Sequence, residues 1–150
     1  MTPATSTSSN ELGRWAESRG LLRPEATFLG LNYDDDRITP AKHVRYDACL
    51  TVPADFEGEG LIGVQDLPGG HFAIGDYEGF PLGLLDAWNW LCWCWYPTSG
   101  WHVWDTRAFD VHPASRVPTS GLEMLALAAR RIRCRLYLPI SRNVTPGLLI

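Results

Sequence analysis

Asp110 and His112 stand two residues apart in the run Ala108-Phe109-Asp110-Val111-His112. Alternation along a strand puts both polar side chains on one face and Phe109 and Val111 on the other. Just upstream, six of the chain's seven tryptophans fall between Trp88 and Trp104. Each indole offers a large, stiff apolar face with one N–H donor, which suits flat aromatic ligands as well as a core. A carboxylate buried among such rings is disfavoured in its charged form. A cationic ligand relieves that penalty and adds cation–π contacts of ~1–2 kcal/mol each. The same carboxylate can instead draw a proton from a water, with a second group protonating what leaves.

Other chemistries lack their residues. Cys92 and Cys94 form a C-x-C pair, but on a helix they project ~160–200° apart and cannot grip one metal. His43, His71, His102 and His112 show no ligand spacing, so neither a metal nor a cofactor is expected. Asp34-Asp35-Asp36 suggests a hard cation, yet the later oxygen ligands and bidentate Glu of a calcium loop are missing; a turn with capping carboxylates is the reading. No Gly-rich phosphate loop and no Gly-x-Ser-x-Gly elbow occurs. A formal net charge of −4 argues against nucleic acid as a direct partner. In the one basic run, Arg131, Arg133 and Arg135 share a strand face opposite Ile132, Cys134 and Leu136, and a solvated face accounts for them. No apolar run approaches ~20 residues, so no membrane span is expected. The opening MTPATSTSSN has neither the basic nor the apolar region of a secretory signal. The four cysteines read as free thiols in a reducing compartment, which makes the cytoplasm the expected location.

The elements that must position these residues can be read in order. Residues 1–10 are Ser/Thr-rich and expected to be disordered, 11–140 to form one domain, and 141–150 a loose tail. Asn10 is placed to cap a helix through Ser18, with Leu12, Trp15 and Ala16 inward and Gly20 as the stop. Phe28–Tyr33 reads as a strand. Val44–Val52 alternates clearly, with Val44, Tyr46, Ala48, Leu50 and Val52 opposite Arg45, Asp47, Cys49 and Thr51. Short strands follow at Leu61–Gln65 and His71–Asp76. A helix over about Pro81–Trp95 turns Leu84, Leu85, Trp88, Leu91, Cys92 and Trp95 to the core and leaves Trp90 and Trp93 outside. Either a loop covers those two indoles or they mark a partner or ligand surface. Strands are expected at Trp101–Trp104, Ala108–His112 and Arg131–Ile140, with a short helix over about Gly121–Ala129. The halves echo one another: aromatic-acid, a proline-bearing loop, then a strand ending in Pro53 or Pro139. Two copies of one strand–helix–strand–strand unit are implied.

Several runs carry a resemblance. They are Gly30-Leu31-Asn32-Tyr33-Asp34-Asp35, Thr39-Pro40, Arg45-Tyr46-Asp47-Ala48-Cys49, Leu67-Pro68-Gly69-Gly70-His71-Phe72-Ala73, Tyr77-Glu78-Gly79, Trp95-Tyr96-Pro97-Thr98-Ser99-Gly100-Trp101 and Leu136-Tyr137-Leu138-Pro139. In their order and spacing over residues 28–140 they resemble the GyrI-like small-molecule-binding family, also met as the effector-binding domain of AraC- and MerR-type regulators. The resemblance implies an α+β fold of tandem strand–helix–strand–strand modules, with an antiparallel sheet, helices on one face and a ligand cleft on the other. It implies a cleft for amphipathic, often cationic aromatic molecules, in a drug-sensing or drug-sequestering module. The ligand-binding set it points to is Asp110, Trp95, Trp101, Tyr46, Tyr33, Phe72, Trp104 and His112. Some members are hydrolases that open cyclopropane rings of DNA-alkylating natural products, with Asp110, His112 and Tyr46 then catalytic. A protein-interaction module of the gyrase-inhibitor type is a further alternative.

The sequence departs from that pattern twice. Where the family has Phe-Glu-x-Tyr, this chain has Phe109-Asp110-Val111-His112, so the acid is shorter and the following polar group titrates near neutrality. The family's first strand also has no counterpart before Trp15 and is expected to be missing. That leaves an open sheet edge which, with Trp90 and Trp93, predicts a homodimer.

Overall fold

The computed structural model describes residues 2–6, 9–33, 39–43, 45–103, 107–113 and 129–142, with Leu122 and Ala126 between. Its strands are β1 (Thr2–Ser6), β2 (Thr27–Asn32), β3 (Tyr46–Val52), β4 (Gly63–Val64), β5 (His71–Gly79), β6 (His102–Val103), β7 (Ala108–Pro113) and β8 (Ile132–Ser141). Helix α1 (Ser9–Ser18) lies between β1 and β2, and α2 (Leu84–Trp90) follows β5. The order β4-β1-β3-β2-β7-β8-β5 is antiparallel throughout, with β6 on β8. Setting aside the short β4, the order β1-β3-β2 mirrors β5-β8-β7. The modules β1–α1–β2–β3 and β5–α2–β7–β8 therefore meet along β2 and β7.

Thr2–Ser6 corrects two expectations at once. The segment expected to be disordered is a strand, paired with Val52–Ala48 of β3, and it supplies the first strand expected to be missing. Threonine-rich sequence suits a sheet as well as a tail. The open-edge argument for a dimer falls with it. Asp34–Asp36, most of Gly121–Ala129 and residues 143–150 lie outside the described residues.

Each module has its own core on the helix side of the sheet. Leu12 and Ala16 of α1 are fully buried against Phe28, Ala48, Leu50 and Val52, with Trp15 edge-on to Phe56 at 5.6 Å. The helix ends where Gly20, at φ +66°, lets Leu21 N–H reach the Ala16 carbonyl (2.9 Å) and Gly20 N–H the Glu17 carbonyl (3.1 Å). That is the paired bonding of a Schellman motif, and Leu21 folds back onto the same core. In the second module Ile132, Cys134, Leu136, Leu138 and Ile140 of β8 are covered by Leu84, Trp88, Leu91, Cys92 and Trp95. Each such aliphatic side chain contributes about 1.5–3 kcal/mol on burial. Leu85, expected in that stripe, is 47% exposed instead.

The opposite face is crossed by the chain itself. β4 and β5 lie at opposite edges, so Gln65–Gly70 must traverse the sheet between them. Leu67 packs against the cluster of Leu29, Leu31 and Cys49 as it passes, as do Phe109 and Val111. Gln65 bridges Asp47, Cys49 and Arg107. Beyond this strap the face carries the aromatic group Phe72, Phe109 and Tyr137 and the ion pairs Arg135–Asp76 and Arg133–Glu78. The second pair places the arginine face where the alternation predicted it.

Candidate functional site

β7 is flanked by β2 over Ala108–Pro113 but by β8 over only Phe109–Val111. Alternation turns Ala108, Asp110 and His112 to the helix side, with Gly30 directly across from Asp110 on β2 and Leu136 across on β8. Asp110 thus sits on the seam between the modules, under the helices. The opposite face, where the resemblance implied a cleft, holds the strap.

Asp110 is 4% exposed and, among the described residues, the only buried charged one. Its Oδ2 accepts from His112 Nε2–H at 2.5 Å, and its Oδ1 accepts a long bond from Asn32 Nδ2 at 3.4 Å. The His112 side chain is 11% exposed and tilts against Phe28 at 5.9 Å. A carboxylate on Nε2–H fixes the tautomer, leaving the lone pair of neutral His112 on Nδ1.

Tyr46 enters from the other side. Its ring lies on the bare backbone of Gly30: a Cβ there would come within 2.8 Å of Tyr46 Cε2 and Cζ. The residue is 45% exposed, yet its hydroxyl end lies over Gly30, where it is desolvated near the acid. Burial first, and then the Asp110 and Cys49 charges, push the phenol's pKa up from its usual 10.0. Cys134 answers to the same surroundings: burial and then Asp110 push its thiol up to about 12.

Where β7 runs on along β2 and β8 begins along β5, the two halves of the sheet part. A cavity of about 700 Å³ occupies this fork, with His112, Thr27, Tyr77, Cys134 and the paired Arg133 and Arg135 among its walls. His112 lines it and Asp110 does not. A molecule in the fork meets the imidazole first, with the carboxylate behind it.

Trp95 and Trp101 are half-buried in the second module's core on the same side of the sheet. Their placement depends on a π-turn, Leu91–Trp95, in which Tyr96 N–H bonds the Leu91 carbonyl. Pro97 explains the wide turn. It has no N–H for the Trp93 carbonyl and its ring would crowd that oxygen in a regular helix. Trp101 follows Gly100 (φ +75°) and stacks with the Arg142 guanidinium at 4.6 Å.

The expected site residues therefore divide. Asp110, His112, Tyr46, Trp95 and Trp101 share the helix side. Tyr33 and Phe72 lie on the strap side, Tyr33 donating its hydroxyl to Asp47 beneath Arg107 (4.4 Å) and Phe72 edge-on to Phe109 (5.5 Å). They cannot share a hollow with Asp110, because the sheet stands between. Trp104 lies outside the described residues. Asn32, Gly30 and Phe28 were missed. Their common parity on β2 was legible, but only the Gly30–Asp110 register brings them to the acid. Among the described residues no cluster of three His, Cys, Asp or Glu could hold a metal ion. No helix of them is long and apolar enough to cross a membrane.

Comparison with known proteins agrees with this architecture. A family model described as "GyrI-like small molecule binding domain" matches residues 6–118, more than half of the chain. The chain is also similar to the "SPbeta prophage-derived putative transcriptional regulator YosT" of Bacillus subtilis (strain 168), 34% identical over 61 residues. That match covers 41% of this chain and 40% of the relative, so the chain spans less than half the length of the curated relative it matches.

Proposed function

The chain belongs to the GyrI-like small-molecule-binding family, and from that premise we propose that it binds flat, amphipathic, preferably cationic aromatic compounds at the Asp110–His112 pair. One observation carries this reading: a carboxylate 4% exposed on the inter-module seam, held among the described residues by one imidazole and one distant amide. Neither of these neighbours is a lysine or an arginine, so a bound cation is the natural complement. The fork is the route of entry, and its volume suits a drug-sized molecule. The module would serve to sense or sequester such compounds. Titration of the intact protein with ethidium and with a neutral ring system of the same size, followed by tryptophan emission and calorimetry, tests this. Saturable binding of the cation, tighter than the neutral ring, is expected; no saturable binding of either compound overturns it.

The dyad itself favours a second reading. Asp110 holding the Nε2–H of His112 is the arrangement that makes an imidazole a general base, with the carboxylate steadying the imidazolium. His112 rather than Asp110 would then take a proton from water as its oxygen attacks a ring carbon, the strained C–C bond would break with its electron pair protonated by the imidazolium, and Asp110 would orient the imidazole. Incubation with a cyclopropane-bearing alkylating compound, with mass spectrometry for the ring-opened alcohol, separates the two. Binding without product over hours leaves the first reading alone.

A further inference from the structure

The second helix is apolar on both sides. Its core stripe is accounted for by β8, but Leu82 is 91% exposed, Leu85 47%, Trp90 58% and Trp93 53%. These four recur at helical spacing on the water side of the 3₁₀ turn Pro81–Gly83, α2 and the π-turn. A helix apolar all round is normally covered on all sides. Together with Phe80, which is 52% exposed just before the turn, they leave on the order of 600 Å² of apolar side chain in water, against roughly 800 Å² per partner in a standard interface. Asp86 is the only charged residue between Phe80 and Trp101.

We propose that this outer face of α2 and its π-turn is an isologous interface with a second copy of the chain. Three features single out a second copy. The patch approaches the area that one side of a stable dimer needs. Its one charged residue is Asp86, so an identical patch brings at most one like-charged pair, whereas a charged partner surface would find only Asp86 to answer it. Its two central tryptophans are the residue type that anchors interfaces. The face is also remote in sequence and direction from Asp110, so the dimer does not depend on the binding site.

Sedimentation velocity on the full chain from about 1 to about 100 μM tests the interface. A dimer is expected, dissociating toward the low end of that range. The double variant Trp90→Glu/Trp93→Glu should sediment as a monomer at every concentration, with unchanged far-ultraviolet circular dichroism. Leu61→Glu, a change at an exposed apolar residue of the β3–β4 connection, should remain dimeric. A wild-type chain that stays monomeric throughout, a dimer that survives the double substitution, or an open series of larger species would each overturn the proposal. Ethidium binding by both variants at the wild-type level is expected, since neither touches the seam.

Discussion

Replacing Asp110 by asparagine removes one charge and almost no volume. The side chain is 4% exposed, so water cannot take over the role of the carboxylate. A unit charge ~4–5 Å from it at an effective dielectric of ~20 interacts by ~3–4 kcal/mol. The net contribution of a hydrogen bond to a charged group is smaller, ~1.5–3 kcal/mol. His112 and Asn32 already draw on the carboxylate, which favours the smaller range. At 1.4 kcal/mol per decade, Asp110→Asn should weaken ethidium roughly 10- to 150-fold. A neutral ring of the same size gains only the apolar walls and should lose less than about threefold. Asparagine can still accept from His112 through its side-chain oxygen, so the fold should persist, and a thermal melt checks this. Calorimetry of both ligands against both proteins at one ionic strength supplies the four affinities. Equal losses for the two ligands would show that the substitution acts through shape. An unchanged cation affinity would remove Asp110 from the site altogether.

Three further outcomes follow from the buried thiols and from the seam. Burial pushes the thiols of Cys49 and Cys134 from 9.0 up to about 12, so Ellman's reagent at pH 8 should modify exposed Cys94 and leave those two until the protein unfolds. Below pH 9 both folded and unfolded chains keep these protons, whereas between pH 9 and about 12 only the unfolded chain sheds them. Stability should therefore fall over that window, by up to about 4 kcal/mol per thiol, and Cys49→Ala should shallow the slope in alkaline denaturation. Gly30→Val should drive the Tyr46 ring off the strand, because the new Cβ would overlap it. Spectrophotometric titration should then find one phenol, absent in the Tyr46→Phe protein, back near its ordinary range; an unaltered titration would place the ring elsewhere.

Strand parity made half of the site readable before any coordinates. Asp110 and His112 share a face in any extended backbone, and so do Tyr46, Ala48 and Leu50. Arg131, Arg133 and Arg135 oppose the core for the same reason. Parity says nothing, however, about which face of one strand adjoins which face of the next. That phase is set by register, and it sends Tyr33 and Phe72 to the strap side although both are aromatic and both lie in the family-like runs. The long crossover from β4 to β5 was equally hidden, since Gln65–Gly70 reads locally as an ordinary turn; only the edge positions of its two strands make it a strap. Thr2–Ser6 was misread because composition alone does not separate a Thr-rich tail from a strand that finds β3 to pair with. Leu85 was assigned inward because it borders the buried stripe in angle, and the stripe is narrower than the periodicity allowed.

The two modules are alike in topology and unlike where they meet, and that difference is what makes a site possible. At the centre of the seam one strand supplies Asp110 and the other supplies Gly30, charge facing bare backbone. A side chain at position 30 would fill the space above the acid and fix its surroundings. Glycine instead leaves a flat floor on which a ring can lie, and Tyr46, a partly exposed residue, uses it. On the far side the fork opens onto His112, because β7 and β8 pair over only three residues before following different neighbours. A longer β7–β8 ladder would close the fork and leave Asp110 a buried charge with no ligand to compensate it, which burial energetics disfavours. On the proposed reading the short ladder and the glycine are two halves of one condition: a charge can stay on the seam because a cation in the fork meets the imidazole that holds it.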